Sequence, residues 1–499
     1  MSPARVGAWQ WARGAGVICA WACGADAQAH AFAAPYMLPV PFWMYAYGAV
    51  AALLVSFVIV GVFASAPGDD AKSVPGRDSG KAGGTRRVIW RPVPAGLVRL
   101  LRVSAAVLLV LSSLSGFLGV ANPFLNINMT LFWIVFVLGL TYATALLGDV
   151  FSFANPWLTI CDGLQGAGLV SLRGRLAYPP GLGCYPALLF YVVFIWIELF
   201  GHTSPLSLSV VLTLYTVLTV FLAWLFGKAA WFRHGELFAV FFRLVGLLAP
   251  LAYRPGQGGG VMFRLRMPLS GLLQRRRVDG SVLLFILFML ASTAFDGAHE
   301  TRPWSKLFWE GLYPWLEPMV TAASRQPYAI AARLYYLWQW LMLVLSPLVY
   351  LGVYVAFIWL SKIVARSQPT TRALCGVFGL ALIPIAFVYH VSHYYTLLLA
   401  QGPQLIKLLS DPLGLGWDVF GTARMDLPIL LVDANFIWHS QVALILAGHI
   451  ASVFLAHGEA LRCHATRRGA VLSQIPMLLL MVALTALGLW ILSLPLGTG

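Results

Sequence analysis

Long apolar runs separated by short polar segments dominate the sequence after residue 40. A helix needs about 20 apolar residues to cross the hydrocarbon core of a bilayer. The two shortest runs, near residues 185 and 281, have the least defined ends. The pattern predicts an all-α polytopic transmembrane bundle with ten spans, at 41–63, 101–120, 129–147, 185–200, 207–227, 281–293, 334–360, 374–400, 435–458 and 470–494.

The N-terminal residues follow a different pattern. Arg5 and Arg13 accompany a short apolar stretch that ends in small residues. A basic segment, a short apolar core and a small-x-small site are typical of a cleavable export signal. We expect residues 1–29 to be removed, so that 30–499 form a single transmembrane domain beginning with His30 outside. An uncleaved N-terminal tail is the alternative.

Basic residues are unevenly distributed over the predicted loops. With the mature N-terminus outside, 25 of the 33 Lys and Arg residues fall on the cytoplasmic side and 6 on the outer side, and the other two belong to the signal. Cytoplasmic loops of membrane proteins carry an excess of Lys and Arg. The bias predicts that both chain ends lie outside, in a multi-pass protein of a bacterial inner membrane.

Composition excludes a soluble domain. Charged residues make up 10% of the chain, apolar residues 60%, and mean hydropathy is +0.80. Soluble domains carry roughly 25% charged residues, so the lipid bilayer is the expected partner. The net charge of +15 lies in short loops without a nucleic-acid-binding pattern, and no nucleic-acid partner is expected.

Three connections are long enough to hold functional residues. We expect a flexible basic cytoplasmic linker at 64–100 and periplasmic loops at 294–333 and 401–434. The stretch 231–251 mixes aromatic with charged residues, which predicts an amphipathic helix at the membrane interface.

Histidines carry the clearest chemical signal. His390 and His393 are three residues apart and share one helix face, and His439 is expected at similar depth in the next span. Asp296 and Asp411 are expected near the same outer end. Imidazole and carboxylate bind divalent transition metals, so this set predicts a zinc- or copper-type site, with Asp296 or Asp411 as ligand or general base. Hydrogen bonding between helices is the alternative role for these histidines.

Three other histidines could act separately. His449 and His457 are eight residues apart on one helix, about 12 Å along its axis, which is too far for one metal. His449 is expected to bond a partner helix or belong to a proton path, and His457 to lie at the interface. After cleavage, the amine and imidazole of His30 could chelate copper.

Six segments of the chain form a further pattern. They are HAF…LPVPFWMYAYG at 30–48, LGDVFSFANPW at 147–157, STAFDG at 292–297, HYY at 393–395, SDPLGLGWDVFGT at 410–422 and GH…AH at 448–457. Together they resemble the bacterial multi-span membrane proteins labelled fenitrothion hydrolases, after an organophosphorus insecticide. The similar segments include Asp149, Asp296, His393, Asp411, Asp418, His449 and His457, but neither His390 nor His439.

The resemblance implies an integral membrane hydrolase that cleaves the P–O–aryl bond of an organophosphorus triester. A bound divalent metal would lower the pKa of its water toward about 7 and polarise the phosphoryl group. The substrate would be an apolar small molecule. Two alternatives stay open: a metal-ion or small-solute transporter or copper-handling protein, and a non-catalytic subunit that works with a second membrane protein.

Single cysteines test the orientation, in a background from which the six native cysteines are removed. We expect a membrane-impermeant maleimide to label Arg424→Cys in intact spheroplasts, and Arg175→Cys only after the membrane is opened. The reason is that the loop containing Arg175 belongs to the arginine-rich, cytoplasmic set. Labelling of Arg175→Cys in intact spheroplasts would show that the orientation is inverted.

Overall fold

The computed structural model describes residues 42–63, 89–257, 260–273, 277–323, 325–427, 433–464 and 466–493. Within them, ten helices are long and apolar enough to cross a membrane. In chain order they are α1 (Phe42–Phe63), α2 (Ala95–Leu118), α3 (Ile127–Leu147), α4 (Tyr185–Phe200), α5 (Pro205–Phe226), α6 (Gly280–His299), α7 (Pro327–Val364), α8 (Thr371–Gln401), α9 (Ala434–Cys463) and α10 (Arg467–Ser493). The predicted all-α polytopic bundle is confirmed, and the protein is a multi-pass membrane protein. The predicted signal and most of the 64–100 linker lie outside the described residues.

Short elements connect these helices. Helical segments lie at Phe151–Ala154, Pro156–Gly166, Pro180–Leu182, Lys228–Ala230, Trp231–Gly235, Leu237–Val245, Arg302–Lys306, Leu307–Leu312, Tyr313–Ala323, Gly402–Gln404 and Leu405–Ser410. A small antiparallel sheet consists of β1 (Arg91–Pro92), β2 (Leu251–Pro255) and β3 (Val261–Leu265), with β3 in the middle. The segment 294–333, expected to be a loop, is largely helical, because α6 continues to His299 and further helices follow.

Helices α6 and α8 form the centre of the bundle. In their apolar windows 72% and 78% of residues are buried, against 11% in α1 and in α2. Helix α6 packs against α4, α7 and α8, and α8 also packs against α3 and α9. Polar side chains on α6 and α8 are therefore shielded from lipid by protein.

The helix Leu237–Val245 lies inside the bundle and not at the membrane interface. Its residues Leu237, Val240 and Phe242 are buried, and it packs against α4, α8 and the end of α3. The predicted interfacial helix is therefore wrong. The charged residues that suggested it are used differently: Glu236 turns inward, where it begins this helix.

Glu236 shows how a buried carboxylate can be satisfied. Its oxygens accept hydrogen bonds from the backbone N–H groups of Phe238 and Ala239 at 3.0 and 2.8 Å, from the Tyr215 hydroxyl at 2.6 Å and from the Asn155 amide at 3.1 Å. The free N–H groups at a helix start favour an acceptor there. Burial raises the pKa of Glu236, and these hydrogen bonds oppose the rise.

We expect Glu236→Ala to destabilise the protein by about 2 kcal/mol or more, because buried amides and hydroxyls lose their acceptor. Glu236→Gln retains the size and an acceptor oxygen, so its loss should be smaller. Thermal unfolding of the purified protein in detergent measures both. Glu310→Ala, which removes an exposed carboxylate, is the matched control; equal stability of Glu236→Ala and Glu310→Ala would refute the capping role.

Candidate functional site

The central helices bring an aspartate and a histidine together. Asp296 is buried in the last turn of α6, and its Oδ2 lies 2.8 Å from Nε2 of His393 on α8. The Tyr394 hydroxyl donates a 2.5 Å hydrogen bond to the same oxygen. An ionised carboxylate in an apolar core is costly unless it is paired and hydrogen-bonded. His393 is the pairing partner of this carboxylate, and Tyr394 adds a hydrogen bond to it.

A second imidazole lies on the other side of this carboxylate. Nδ1 of His299 is 2.7 Å from the backbone carbonyl oxygen of Asp296 and 3.9 Å from its Oδ1. Since a carbonyl oxygen can only accept, Nδ1 of His299 carries the proton. No described residue hydrogen-bonds the buried Oδ1 of Asp296. One carboxylate oxygen is thus fully used, and the other retains acceptor capacity.

Tyr394 links this pair to a third helix. Its hydroxyl is also a hydrogen-bonding neighbour of the Glu198 carboxyl, near the end of α4. Helices α4, α6 and α8 therefore contribute Glu198, Asp296, and His393 with Tyr394 to one polar network. Ionisable residues at membrane depth are rare and often functional.

The structure does not assemble the predicted three-histidine cluster. His439 is exposed near the start of α9, where its Nδ1 donates to the Asn435 carbonyl and its Nε2 faces the Tyr45 hydroxyl at 3.3 Å. The His390 ring instead packs against Tyr394, with centroids 5.0 Å apart. Among the described residues, no group of three or more His, Cys, Asp or Glu side chains could hold a metal ion.

These donors do not fit the predicted metal. Nε2 of His393 and Oδ2 of Asp296 face each other at hydrogen-bonding distance, and both atoms would have to turn to share an ion. The metal itself stays a prediction.

Asp411 and Asp418, two candidate site residues from the sequence, accept hydrogen bonds within the loop that contains them. Oxygens of Asp411 accept hydrogen bonds from the backbone N–H groups of Leu415 and Gly416, at 3.0 and 2.7 Å. Asp418 accepts one from the Ala423 N–H at 2.9 Å. These contacts explain the SDPLGLGWDVFGT segment as a folded loop. The convergence of Asp411 with Asp296 and His393 that the metal site requires is not found among the described residues.

The remaining predicted histidines are separate from the pair. His449 is buried in α9, donates from Nδ1 to the Ile445 carbonyl at 2.9 Å and packs edge-on against Tyr389. His457 is also buried by protein, and neither of its ring nitrogens has a hydrogen-bond partner among the described residues. His30 lies outside the described residues.

Sequence reasoning placed Asp296 and His393 in one predicted site together with Asp411, but it missed two residues that complete the network. Tyr394 directly follows His393, and His299 is three residues after Asp296, so it returns to the same helix face. Those spacings were the available signal. The role of Glu198 depends on which helices are neighbours, which spacing alone does not show.

Asp149 belongs to the end of the bundle predicted to be cytoplasmic. It follows α3, and its Oδ1 accepts a hydrogen bond from the Ser152 N–H at 3.0 Å. Burial raises the pKa of Asp149 from 3.8 to about 6, and the charge of Arg243 opposes this rise. Asp149 is therefore a structural carboxyl, and its burial in the fold favours the neutral form.

This pKa predicts a pH-dependent stability. A carboxyl with a raised folded-state pKa stabilises the protein below its unfolded value, and that contribution is lost as the pH rises through about 6. We expect the thermal unfolding midpoint of the parent protein to fall more between pH 5 and pH 7 than that of Asp149→Asn. If the unfolding midpoints of the two proteins changed equally with pH, Asp149 would have the same pKa in the folded and unfolded states.

Comparison with known proteins finds no matching protein-family model, no matching curated protein and no matching solved structure.

Proposed function

We propose that this protein is an integral membrane hydrolase of organophosphorus triesters, in which Asp296 and His393 form the acid–base pair. The 2.8 Å contact between Asp296 Oδ2 and His393 Nε2 carries the proposal. The substrate class comes from the resemblance of the chain's motif segments to the fenitrothion hydrolases. The proposed site needs one water molecule and no metal.

The pair has the arrangement of a general base held by a carboxylate. Because Nε2–H of His393 donates to Asp296, Nδ1 carries the lone pair that can accept a proton. The His393 side chain remains 19% exposed, while the Asp296 side chain is 3% exposed. A carboxylate in this position fixes the tautomer and stabilises the imidazolium that forms.

The reaction then follows from these roles. His393 Nδ1 takes a proton as water attacks phosphorus, a P–O bond forms, and the P–O–aryl bond breaks. The aryl oxygen leaves as phenolate, and His393 returns to its starting state when Nδ1 gives its proton to this phenolate or to solvent. Tyr394 holds the Asp296 carboxylate in place through its hydrogen bond.

An apolar groove supports a substrate that arrives from the membrane. It measures about 540 Å³ and lies between α4 and α7, on the lipid-facing surface. Trp196 and Trp340 line it with ring centroids 5.3 Å apart, and Phe200 connects Trp340 to the ring of His299. Pockets for small organic molecules have volumes of about 300–1,000 Å³ and mostly apolar walls.

We expect His393→Ala and Asp296→Asn to lower the rate of triester hydrolysis by about 100-fold or more, since general bases contribute roughly 10²–10⁴-fold. Nitrophenol release by purified protein in lipid nanodiscs gives the rate, and thermal unfolding checks the fold. His464→Ala, whose ring bonds Ser367 away from this network, is the control. Full activity of folded His393→Ala would refute the proposal.

The same assay distinguishes hydrolysis by Asp296 and His393 alone from hydrolysis at a metal centre. Dialysis against a chelator should leave the rate unchanged if His393 and Asp296 act without a metal. Loss of activity in both chelated protein and His439→Ala, with recovery of the chelated protein on adding zinc, would favour the three-histidine metal site instead.

A proton-coupled transporter of small solutes is the second candidate. Tyr394 joins carboxyls from two different helices, Asp296 on α6 and Glu198 on α4, and such networks often serve as proton relays in transporters. Sealed proteoliposomes containing a pH-sensitive dye test it. Solute-dependent acidification that Asp296→Asn abolishes, without nitrophenol release, would favour transport over hydrolysis.

A further inference from the structure

The small antiparallel sheet has two faces of different character. On one face, the Tyr253 ring on β2 packs against Phe153 with ring centroids 5.2 Å apart, and Val261 on β3 is buried beside them. Side chains alternate between the two faces along a strand. Arg254 on β2 and Arg264 on β3 therefore belong to the other face of the sheet.

This other face holds two arginines over one tryptophan. The guanidinium carbons of Arg254 and Arg264 lie 4.2 and 5.0 Å from the ring centroid of Trp90, which directly precedes β1. An indole ring attracts a cation within about 6 Å of its centroid, so Trp90 holds the two positive charges close together. Neither arginine forms an ion pair with a carboxylate in the part of the chain that the structure describes. We call Trp90, Arg254 and Arg264 the arginine face.

A third arginine nearby has a structural role. Arg266 donates hydrogen bonds from Nε to the Ala249 carbonyl at 2.8 Å and from Nη2 to the Gly246 carbonyl at 2.7 Å, so it fixes the end of β3 to the segment that precedes β2. Burial lowers the pKa of Arg266, and the charge of Arg264 lowers it further. Arg254 is exposed and Arg264 is half-buried, so an anion from outside the protein can reach this pair.

The sheet lies where membrane spans end. β1 precedes α2, and Gly148, which follows α3, is so close to β2 that a side chain there would meet the Leu251 carbonyl oxygen at 2.4 Å. This is the end of the bundle predicted to be cytoplasmic. Ile89, Leu265 and Met267, close to the arginine face in the chain, are 69%, 77% and 77% exposed. Basic and apolar side chains next to each other are typical of a surface that contacts lipid headgroups.

We propose that the arginine face binds the phosphate group of an anionic phospholipid in the adjacent membrane leaflet. A guanidinium can donate two parallel hydrogen bonds to a phosphate, and the negative surface of the cytoplasmic leaflet attracts basic side chains close to a membrane span. Ile89, Leu265 and Met267 contact the glycerol and upper acyl chains of the lipid, which favours a phospholipid over a soluble phosphate or a nucleic acid. The proposal does not depend on the hydrolysis proposed above.

Native mass spectrometry counts the lipids that stay bound to the full chain. The purified protein is relipidated with equal amounts of anionic phosphatidylglycerol and of phosphatidylcholine, which has no net charge, and is then released from detergent. We expect the parent protein to retain phosphatidylglycerol in preference. Arg254→Gln/Arg264→Gln should retain at least about tenfold less of it, since each basic side chain near an anionic surface contributes roughly a factor of five to binding.

Arg173→Gln/Arg175→Gln is the matched control. It removes the same charge at the same end of the bundle, and Arg175 also lies over a tryptophan, with its guanidinium carbon 5.5 Å from the ring centroid of Trp224. We expect this control to retain phosphatidylglycerol as the parent does. Equal losses in the two double variants would overturn the proposal, because net charge alone would then explain the binding.

Two further measurements distinguish the lipid from other anions. An excess of inorganic phosphate should not displace phosphatidylglycerol, because phosphate lacks the apolar contacts. Displacement would assign the arginine face to a soluble phosphate and overturn the proposal. The proposal would also fail if a single-stranded oligonucleotide bound the parent protein in phosphatidylcholine nanodiscs but did not bind Arg254→Gln/Arg264→Gln.

Trp90→Leu preserves both charges and removes the ring that holds them together. We expect it to retain roughly threefold less phosphatidylglycerol than the parent, since a cation–π contact at an exposed site contributes a factor of about two to five. Trp224→Leu, which removes the ring under Arg175, should retain the parental amount, and thermal unfolding in detergent checks that both variants fold. Parental retention by folded Trp90→Leu would show that the stacked arginines are not the lipid site.

Discussion

The hydrocarbon core of a membrane offers no water to a buried polar group, and this constraint organises the whole molecule. Each such group must find its partner within the protein. Glu236 and Asp296 meet the constraint in different ways. Glu236 is surrounded by four hydrogen-bond donors that fix the start of a helix. Asp296 has both contacts on one oxygen, from His393 and Tyr394. Its second oxygen keeps acceptor capacity, because no described residue hydrogen-bonds it.

The packing of the helices explains why the network can exist. Helices α6 and α8 are shielded by their neighbours, so the dielectric around Asp296 is low and its attraction to His393 is stronger than it would be in water. The aromatic rings of the buried helix Leu237–Val245 line the pocket next to this network. The peripheral helices α1 and α2 expose most of their apolar residues, and chemistry at those positions would face lipid.

Position within the bundle also separates the histidines by role. His393 faces a carboxylate, His390 faces a cavity, and His439 is exposed beside Tyr45. Chemically identical rings therefore have different functions available to them. In the proposed hydrolysis the base is Nδ1 of His393, because Asp296 holds the ring proton on Nε2.

The sequence by itself determined the ten membrane spans, because hydrophobic length is a local property that each segment carries alone. It also selected Asp296 and His393 as candidate site residues, since charged and imidazole groups are costly at membrane depth. Only the tertiary structure decided that these two residues contact each other, that His439 and Asp411 serve elsewhere and that the 237–245 helix is buried. Those outcomes depend on which helices are neighbours and how each is rotated about its axis. Helix packing fixes both, through contacts between residues as far apart in the chain as Tyr45 and His439, which are separated by 394 positions, and no local pattern encodes them.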